Sequence, residues 1–164
     1  MGDQAEPEIK RPFAIESLPW EEYGQGTRFA GRARILSNTR QGHARIGVAI
    51  DEIAPGCQSN QAHYHYGEEE HVWILEGRVT LRLGAERIEM KAGDYVTFPA
   101  GQKAGHCLVN ESDRVCRYVT LGERRNPMDV VVFTDTGKVS VYATAEIYDK
   151  TATKQYWDGE DKGE

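Results

Sequence analysis

The sequence predicts an all-β domain, either a sandwich or a barrel, from three observations. Short stretches of apolar or alternating residues recur along the chain from about residue 27 onward. Gly, Asp or Pro residues separate these stretches at intervals of ~8–12 residues, which is typical of antiparallel β proteins. No amphipathic helical segment of ~10–15 residues lies between them, and this argues against a parallel α/β sheet.

The pattern divides the chain into three regions. Residues 1–26 are expected to form an N-terminal arm, with one helical turn over residues 17–23 that ends at Gly24. Residues 27–150 carry the strand pattern and are expected to form the β domain. Residues 151–164 are a polar C-terminal tail, in which Tyr156 and Trp157 predict a docking contact.

The predicted strands are short and are separated by turn residues. Residues 45–50 alternate, with Ile46, Val48 and Ile50 on one face. Glu76-Gly77 predicts a tight hairpin turn, because Gly tolerates the positive φ that such turns need. The predicted strands cover residues 45–50, 72–75, 78–83, 87–91, 95–98, 106–109, 115–121, 130–133 and 139–142.

Composition restricts the class of partner. The chain has 164 residues, which suits one domain, and 39% of them are hydrophobic, which is typical of a folded protein rather than a disordered one. A formal net charge of -6 argues against nucleic acid and against an anionic membrane surface as partners. No apolar run approaches the ~18 residues of a membrane helix. We therefore expect neither nucleic acid nor a membrane as the partner.

The compartment expected from the sequence is the cytoplasm. The N-terminal residues are polar and acidic, unlike a secretory signal. The three cysteines, Cys57, Cys107 and Cys116, are an odd number, which indicates reduced thiols rather than a disulfide framework.

Histidines and carboxylates cluster in one segment. His63, His65 and His71 fall within nine residues, and a run of three glutamates lies between the second and the third. Residues two apart on a strand share a face, so the imidazoles of His63 and His65 can bind one ion together. Imidazole and carboxylate ligands suit a divalent metal. The alternative is a solvated acidic loop with two surface histidines. His106 alone is better explained as an ordinary surface or core histidine.

Two segments together resemble the paired motifs of the cupin superfamily. The segment HYHYGEEEHVWILEG resembles the first motif, and GDYVTFPAGQKAGHCLVN resembles the second. The gap between Gly101 and His106 is four residues, where the family often has two. The positions that match are His63, His65, Glu70 and Gly77 in the first motif, and Gly93, Pro99, Gly101, His106 and Asn110 in the second.

The resemblance implies a jelly-roll β-barrel, also called a double-stranded β-helix, of the small conserved-barrel (cupin 2) type. It implies one divalent metal per chain (Fe, Mn, Zn, Ni or Co) with His63, His65, Glu70 and His106 as ligands. Glu69 is the competing carboxylate, since the motif also allows the shorter spacing. Strand alternation places His71 on the face opposite Glu70 and so predicts that it is not a ligand.

The function expected from this resemblance is that of a mononuclear metal-dependent enzyme. Its substrate would be a small oxygen-rich metabolite (a hydroxy acid, a sugar derivative or a dicarbonyl), and the enzyme would be an oxygenase, isomerase or lyase. The alternative is a non-catalytic binding or sensor module. An additional acid–base group would favour the enzyme, and Glu69 and Lys103 are the nearest candidates in the sequence.

Two further expectations concern anions and assembly. Arg45, Arg82 and Arg117 would anchor an anion only if they faced inward, and a solvated strand face is the alternative. A homodimer is expected from the family resemblance, with Trp20 and Trp73 as suitable contact residues.

Overall fold

The computed structural model describes residues 11–37, 45–124 and 128–160. Short 3₁₀ helices lie at Ile15–Ser17 and Lys150–Ala152. The strands in these ranges are β1 (Glu21–Gln25), β2 (Phe29–Ser37), β3 (Ile46–Ile53), β4 (His63–His65), β5 (Glu70–Glu76), β6 (Arg78–Leu83), β7 (Glu86–Lys91), β8 (Tyr95–Phe98), β9 (His106–Val109), β10 (Cys116–Glu123), β11 (Val130–Phe133), β12 (Lys138–Val141) and β13 (Glu146–Asp149).

The strands form two sheets, and from β3 to β11 the chain passes repeatedly from one sheet to the other. The six-stranded sheet has the order β1-β2-β3-β10-β5-β8, and the seven-stranded sheet has the order β13-β12-β11-β4-β9-β6-β7. Strands β3, β5, β8 and β10 belong to the first sheet, and β4, β6, β7, β9 and β11 belong to the second. The ladders between these strands are antiparallel. This arrangement is the double-stranded β-helix, and the all-β prediction is confirmed.

The core lies between the two sheets and follows the predicted alternation. On β5, Val72 and Ile74 are buried while Trp73 and Leu75 are exposed. Because side chains alternate along a strand, Glu70 shares the inward face with the two buried residues. The buried cluster consists of Ile53, Val72, Ile74, Val79, Leu81, Met90, Phe98, Leu108, Cys116 and Tyr118.

Two predictions near the chain ends are wrong. Residues 21–25 are a strand rather than part of a helical turn, because their backbone pairs with β2 in a register that runs from Glu21 opposite Ala33 to Gln25 opposite Phe29. In the tail, Tyr156 and Trp157 contact each other edge to face and are 85% and 61% exposed, so the predicted docking contact is absent among the described residues. Residues 1–10 lie outside the described ranges, and the region boundaries at residues 27 and 150 stay a prediction. No helix in the described part of the chain has the length and apolarity to cross a membrane.

The outer face of the six-stranded sheet carries a largely apolar row that runs across five strands. Trp73 and Tyr95 are 49% and 58% exposed in this row. The guanidinium groups of Arg32 and Arg34 each lie 4.4 Å from the centre of the Trp20 ring, so Trp20 is partly covered by arginine side chains. The residues of this outer row, which are neighbours in register, are Arg34, Ile50, Val119, Trp73 and Tyr95.

The hairpin predicted at Glu76-Gly77 is wrong, because β5 and β6 belong to different sheets. The connection between these two strands depends on one glycine. Gly77 alone connects the two strands and has a φ of 82°. A Cβ at this position would lie 2.9 Å from the carbonyl oxygen of Val115 and 3.3 Å from Cα of Cys116. Gly93 provides a comparison, since its φ is 94° but a Cβ there would meet nothing within 4 Å.

Alanine at these two glycines should separate backbone strain from steric overlap. An L-residue in the left-handed region is strained by about 1–2 kcal/mol, so we expect Gly93→Ala to lower the free energy of unfolding by about that amount. Gly77→Ala should lower the free energy of unfolding by at least ~1 kcal/mol more, because the backbone of Val115 and Cys116 must also shift to make room for the new Cβ. Chemical denaturation of both variants measures the difference. Equal losses would show that the close approach to Val115 is unimportant.

Candidate metal centre

Three buried histidines and the largely buried side chain of Glu70 converge inside the barrel. The Nε2 atoms of His63, His65 and His106 lie 3.5, 3.4 and 3.1 Å from the same atom, Oε2 of Glu70. The structure therefore brings together all four residues predicted from the sequence.

The strands account for this convergence. His63 and His65 are alternate residues of β4, and His63 is the cross-strand partner of His106 on β9. Glu70 begins β5 in the opposite sheet, so it reaches the three imidazoles from across the barrel. Phe98 packs on the His106 ring, with parallel planes and a centroid distance of 3.7 Å. The longer loop before His106 thus does not prevent this histidine from facing the cluster.

Hydrogen bonds on the far side of two rings set their orientation. Nδ1 of His63 lies 2.9 Å from the carbonyl oxygen of Gln61, and Nδ1 of His65 lies 2.6 Å from Oδ2 of Asp129. When these Nδ1 atoms carry the proton, each Nε2 presents a lone pair toward the centre. A carboxylate behind a histidine is a common arrangement at metal sites, where it fixes the tautomer and makes the ligand more basic. Asp129 is itself held by the backbone N–H of Gly67, at 2.8 Å.

Charge in the cluster is concentrated on Glu70. Burial by itself would raise the pKa of Glu70, but hydrogen bonds with His106 and His63 and the nearby charge of His65 hold that pKa well below its usual range. Burial lowers the pKa of His106, despite its contact with Glu70. Burial also opposes charge on His63, yet the contact with Glu70 raises its pKa overall. The centre is therefore an ionised carboxylate surrounded by basic nitrogens.

The donor set fits a divalent ion. Ligands at ~2.1 Å from one ion are ~3.0–3.4 Å from one another in octahedral or tetrahedral geometry, and the observed separations of 3.1–3.5 Å lie close to that range. Three imidazoles with one carboxylate suit Fe, Mn, Zn, Ni or Co. The Nδ1 atom of His106 is buried and has no hydrogen-bond partner among the described residues, so stacking on Phe98 holds this ring in place of a hydrogen bond at that nitrogen.

His71 and Glu69 lie outside this cluster. Nε2 of His71 is 3.0 Å from Oε1 of Glu69, and its Nδ1 contacts the hydroxyl of Tyr95 on the outer face. The side chain of Glu69 is 44% exposed. The competing carboxylate of the sequence analysis is thus paired with a histidine on the opposite side of β5.

A second cluster behind the first was not predicted. His65, Glu68 and Asp129 are all buried and place possible ligand atoms within 4.8 Å of one another. Nδ1 of His65 already contacts Asp129, so we interpret this cluster as support for the His65 ring rather than as a separate centre. Asp129 is 64 positions from His65 in sequence, and no local motif marks it.

The centre borders one cavity, and a second cavity shares part of its wall; we call them the first and the second lobe. The first, of about 670 Å³, is lined by His63, His65 and Glu70 and by Phe29, Phe133 and Tyr142 among others. The second, of about 530 Å³, is lined by residues of β3 and β10 that include Asp51 and Thr120. The two lobes share the wall residues Tyr23, Ser59, Asn60 and Arg124.

Asp51 is an acidic group of the second lobe that the sequence analysis missed. Its Oδ2 accepts a hydrogen bond of 2.8 Å from the hydroxyl of Thr120. Burial raises the pKa of Asp51 to about 6. The negative charge of Glu70 also raises this pKa, whereas the hydrogen bond from Thr120 lowers it. The alternation of β3 makes Asp51 an inward residue, but the apolar pattern around it gave no reason to select it.

Comparison with known proteins agrees with this architecture. The Cupin domain family matches residues 49–122. Quercetin 2,3-dioxygenase of Bacillus subtilis is 25% identical over 116 residues, which are 71% of this chain and 33% of that protein. The chain spans between a third and a half of the length of the curated relatives that it matches.

Two solved structures share the fold. A sugar phosphate isomerase from a cupin superfamily, from Silicibacter pomeroyi, has a TM-score of 0.74 at 22% identity and covers 90% of this chain and 98% of that one. A Cupin 2 conserved barrel domain protein from Salinispora arenicola has a TM-score of 0.52 at 23% identity and covers 73% and 91%. The family match across residues 49–122, the alternating sheets and the shared barrel show that this chain contains a cupin domain.

Proposed function

We propose that this cupin binds one divalent metal ion per chain through His63, His65, Glu70 and His106 and is an enzyme acting on a small oxygen-rich metabolite. The observation that carries the proposal is the approach of three Nε2 atoms to one oxygen of Glu70. A bound ion would supply Lewis-acid chemistry or, if it is iron, activation of dioxygen. The metal is Fe, Mn, Zn, Ni or Co, and the reaction class is that of an oxygenase, isomerase or lyase.

Asp51 favours an enzyme over a binding module. The sequence analysis named Glu69 and Lys103 as acid–base candidates, but Glu69 pairs with His71 and Lys103 is exposed. Asp51 faces the second lobe, which shares wall residues with the lobe beside the centre, and a carboxyl group with a pKa near 6 exchanges a proton readily at neutral pH. In the proposed reaction, the side chains of the centre orient the substrate while Asp51 takes up or releases a proton.

Metal analysis followed by a substrate screen tests the function. We expect about one divalent ion per chain in protein purified without chelators, and turnover of at least one hydroxy acid, sugar acid or β-dicarbonyl. Saturable binding of such compounds without turnover would support the alternative, a non-catalytic binding or sensor module. A metal-free protein that takes up no divalent ion on titration would contradict both.

Alanine variants separate the proposed ligands from the neighbouring histidine. His63→Ala or His106→Ala removes a donor, so each should weaken metal affinity by more than the ~10–100-fold typical of losing a supporting residue. His71→Ala should leave affinity unchanged, because this side chain contacts Glu69 and Tyr95 on the outer face. Competition with a chromophoric chelator, at equal folded fraction, gives the affinities. Loss of metal from His71→Ala but not from His106→Ala would refute the assignment.

The ionisation of Asp51 should appear in the pH dependence of stability. The folded chain holds the Asp51 proton with a pKa of about 6, against an ordinary value of 3.8, so ionisation reduces stability as pH rises from about 4 through 6. Tyr23 and Tyr118 face Asp51 and stay protonated in this range, since burial raises the pKa of each, while Glu70 stays ionised.

Asp51→Asn cannot ionise. We therefore expect the metal-free variant to be more stable than wild type by about 1–3 kcal/mol above pH ~6.5 and to lose this advantage near pH 4. Urea denaturation across this pH range measures the difference, with the exposed residue Asp113 changed to Asn as control. A stability difference that is the same at every pH would show that Asp51 does not titrate as described.

The cytoplasmic location stays a prediction.

We also propose that the protein forms a homodimer through the outer row. In this row Trp73 and Tyr95 are exposed and Ile50 and Val119 are partly buried, and apolar side chains grouped on one face mark protein contacts. Sedimentation should give twice the chain mass of 18.4 kDa. Trp73→Asp should shift the protein toward monomer, while Trp157→Asp in the exposed tail should not. A monomeric wild type would refute the dimer.

A further inference from the structure

Arg124 lies beside the proposed metal centre without being part of it. It directly follows β10, and its backbone N–H donates to the carbonyl oxygen of Arg45 at 2.9 Å. Its side chain lines both lobes. The three arginines considered from the sequence do not have this placement: Arg82 pairs with Asp135, Arg117 pairs with Glu52, and Arg45 lies at the exposed start of β3.

Two glycines make room for the Arg124 guanidinium. Gly47 on β3 and Gly122 on β10 are cross-strand partners. A Cβ on Gly47 would lie 2.7 Å from Nε and 2.8 Å from Nη2 of Arg124, and a Cβ on Gly122 would lie 2.9 Å from Nη1. Any larger residue at either position would displace the guanidinium, so the two glycines determine where the positive charge of Arg124 lies.

The same space borders Glu70. Gly122 is also the cross-strand partner of Glu70 on β5. A Cβ on Gly122 would be 3.6 Å from Oε1 of Glu70, as well as close to Nη1 of Arg124. The cation and the proposed ligand carboxylate therefore border one small space that exists because Gly122 has no side chain.

Part of the hydrogen-bonding capacity of Arg124 is unused. Nη1 donates to the carbonyl oxygen of Glu123 at 2.9 Å and lies 3.6 Å from Oε2 of Glu68. Within the described ranges, Nε and Nη2 have no hydrogen-bond partner. These two nitrogens form the edge of a guanidinium that binds a carboxylate through two parallel hydrogen bonds.

The acidic side chains around the centre favour an anion of low charge. Glu70 would leave a divalent centre with a net charge of +1, while the buried acidic side chains of Glu68 and Asp129 lie beside His65. These neighbouring acidic groups limit the negative charge that a ligand can add, which favours a carboxylate monoanion over a phosphate dianion. We propose that Arg124 binds the carboxylate of a small monoanionic 2-hydroxy or 2-oxo acid whose neighbouring oxygen meets the metal. This inference rests on the proposed function and names its substrate class.

Calorimetric titration of Mn²⁺-loaded protein with glycolate tests the assignment, with glycolamide as the uncharged analogue and inorganic phosphate as the competing anion. Arg124→Gln should weaken glycolate binding by ~10–100-fold, as loss of a charge-assisted pair implies, and should leave glycolamide binding unchanged. Arg124→Lys should retain part of the affinity, because it keeps the charge but not the paired donors.

Two further variants separate the position of the charge from its presence. Gly47→Ala keeps every charge but displaces the guanidinium, so it should also weaken glycolate binding. Arg87→Gln, which removes an arginine paired with Glu111 on the surface, should have no effect. The metal content of every sample is measured separately.

The outcomes distinguish this inference from the function on which it rests. Failure of the metal-loaded wild type to bind glycolate, unchanged glycolate affinity in Arg124→Gln at full metal content, or an Arg124-dependent preference for phosphate would each overturn the inference and leave the metal centre in place. A wild-type chain that holds no metal would refute the proposed function, and this inference with it.

Discussion

One buried oxygen, Oε2 of Glu70, is the point on which the rest of the barrel interior depends. Three imidazole nitrogens surround it, and the pKa of Glu70 is held well below its usual range despite burial. A buried anion is strongly unfavourable unless a positive partner compensates it. Val72 and Ile74, the next inward residues on the same strand, provide no such partner. In the metal-free chain the histidines compensate this charge, and in the proposed metal-bound protein the cation would do so.

The fold makes this arrangement a consequence of sheet packing. The three histidines belong to β4 and β9 of the seven-stranded sheet, whereas Glu70 belongs to β5 of the six-stranded sheet. The site exists only when the sheets face each other, so metal binding and folding should favour each other. Around this centre, Asp129 orients one histidine, while Asp51 and Arg124 lie on walls that a substrate would touch.

Sequence reasoning succeeded where local spacing decides the outcome. The i, i+2 pair His63 and His65 and the alternation that turns Glu70 inward and His71 outward follow from the period of a strand. The inclusion of His106 in the cluster was predicted from the family resemblance. Its position as the cross-strand partner of His63 agrees with that prediction. That these four bind metal is a proposal, but their convergence was predictable.

The remaining groups could not be found in this way, because long-range pairing decides their positions. Asp51 faces the cavity through the pairing of β3 with β10, and Asp129 reaches His65 through the pairing of β11 with β4. Arg124 depends on two glycines that are partners only in the folded sheet. The helical turn predicted near the N-terminus failed for the same reason, since pairing of β1 with β2 outweighs a weak local preference.

Anomalous diffraction from crystals of the protein loaded with Mn²⁺ tests the central claim most directly. The account predicts one strong peak per chain, within ~2.0–2.3 Å of Nε2 of His63, His65 and His106 and of a carboxylate oxygen of Glu70. A peak bounded instead by His65, Glu68 and Asp129, or no peak inside the barrel at saturating metal, would contradict it.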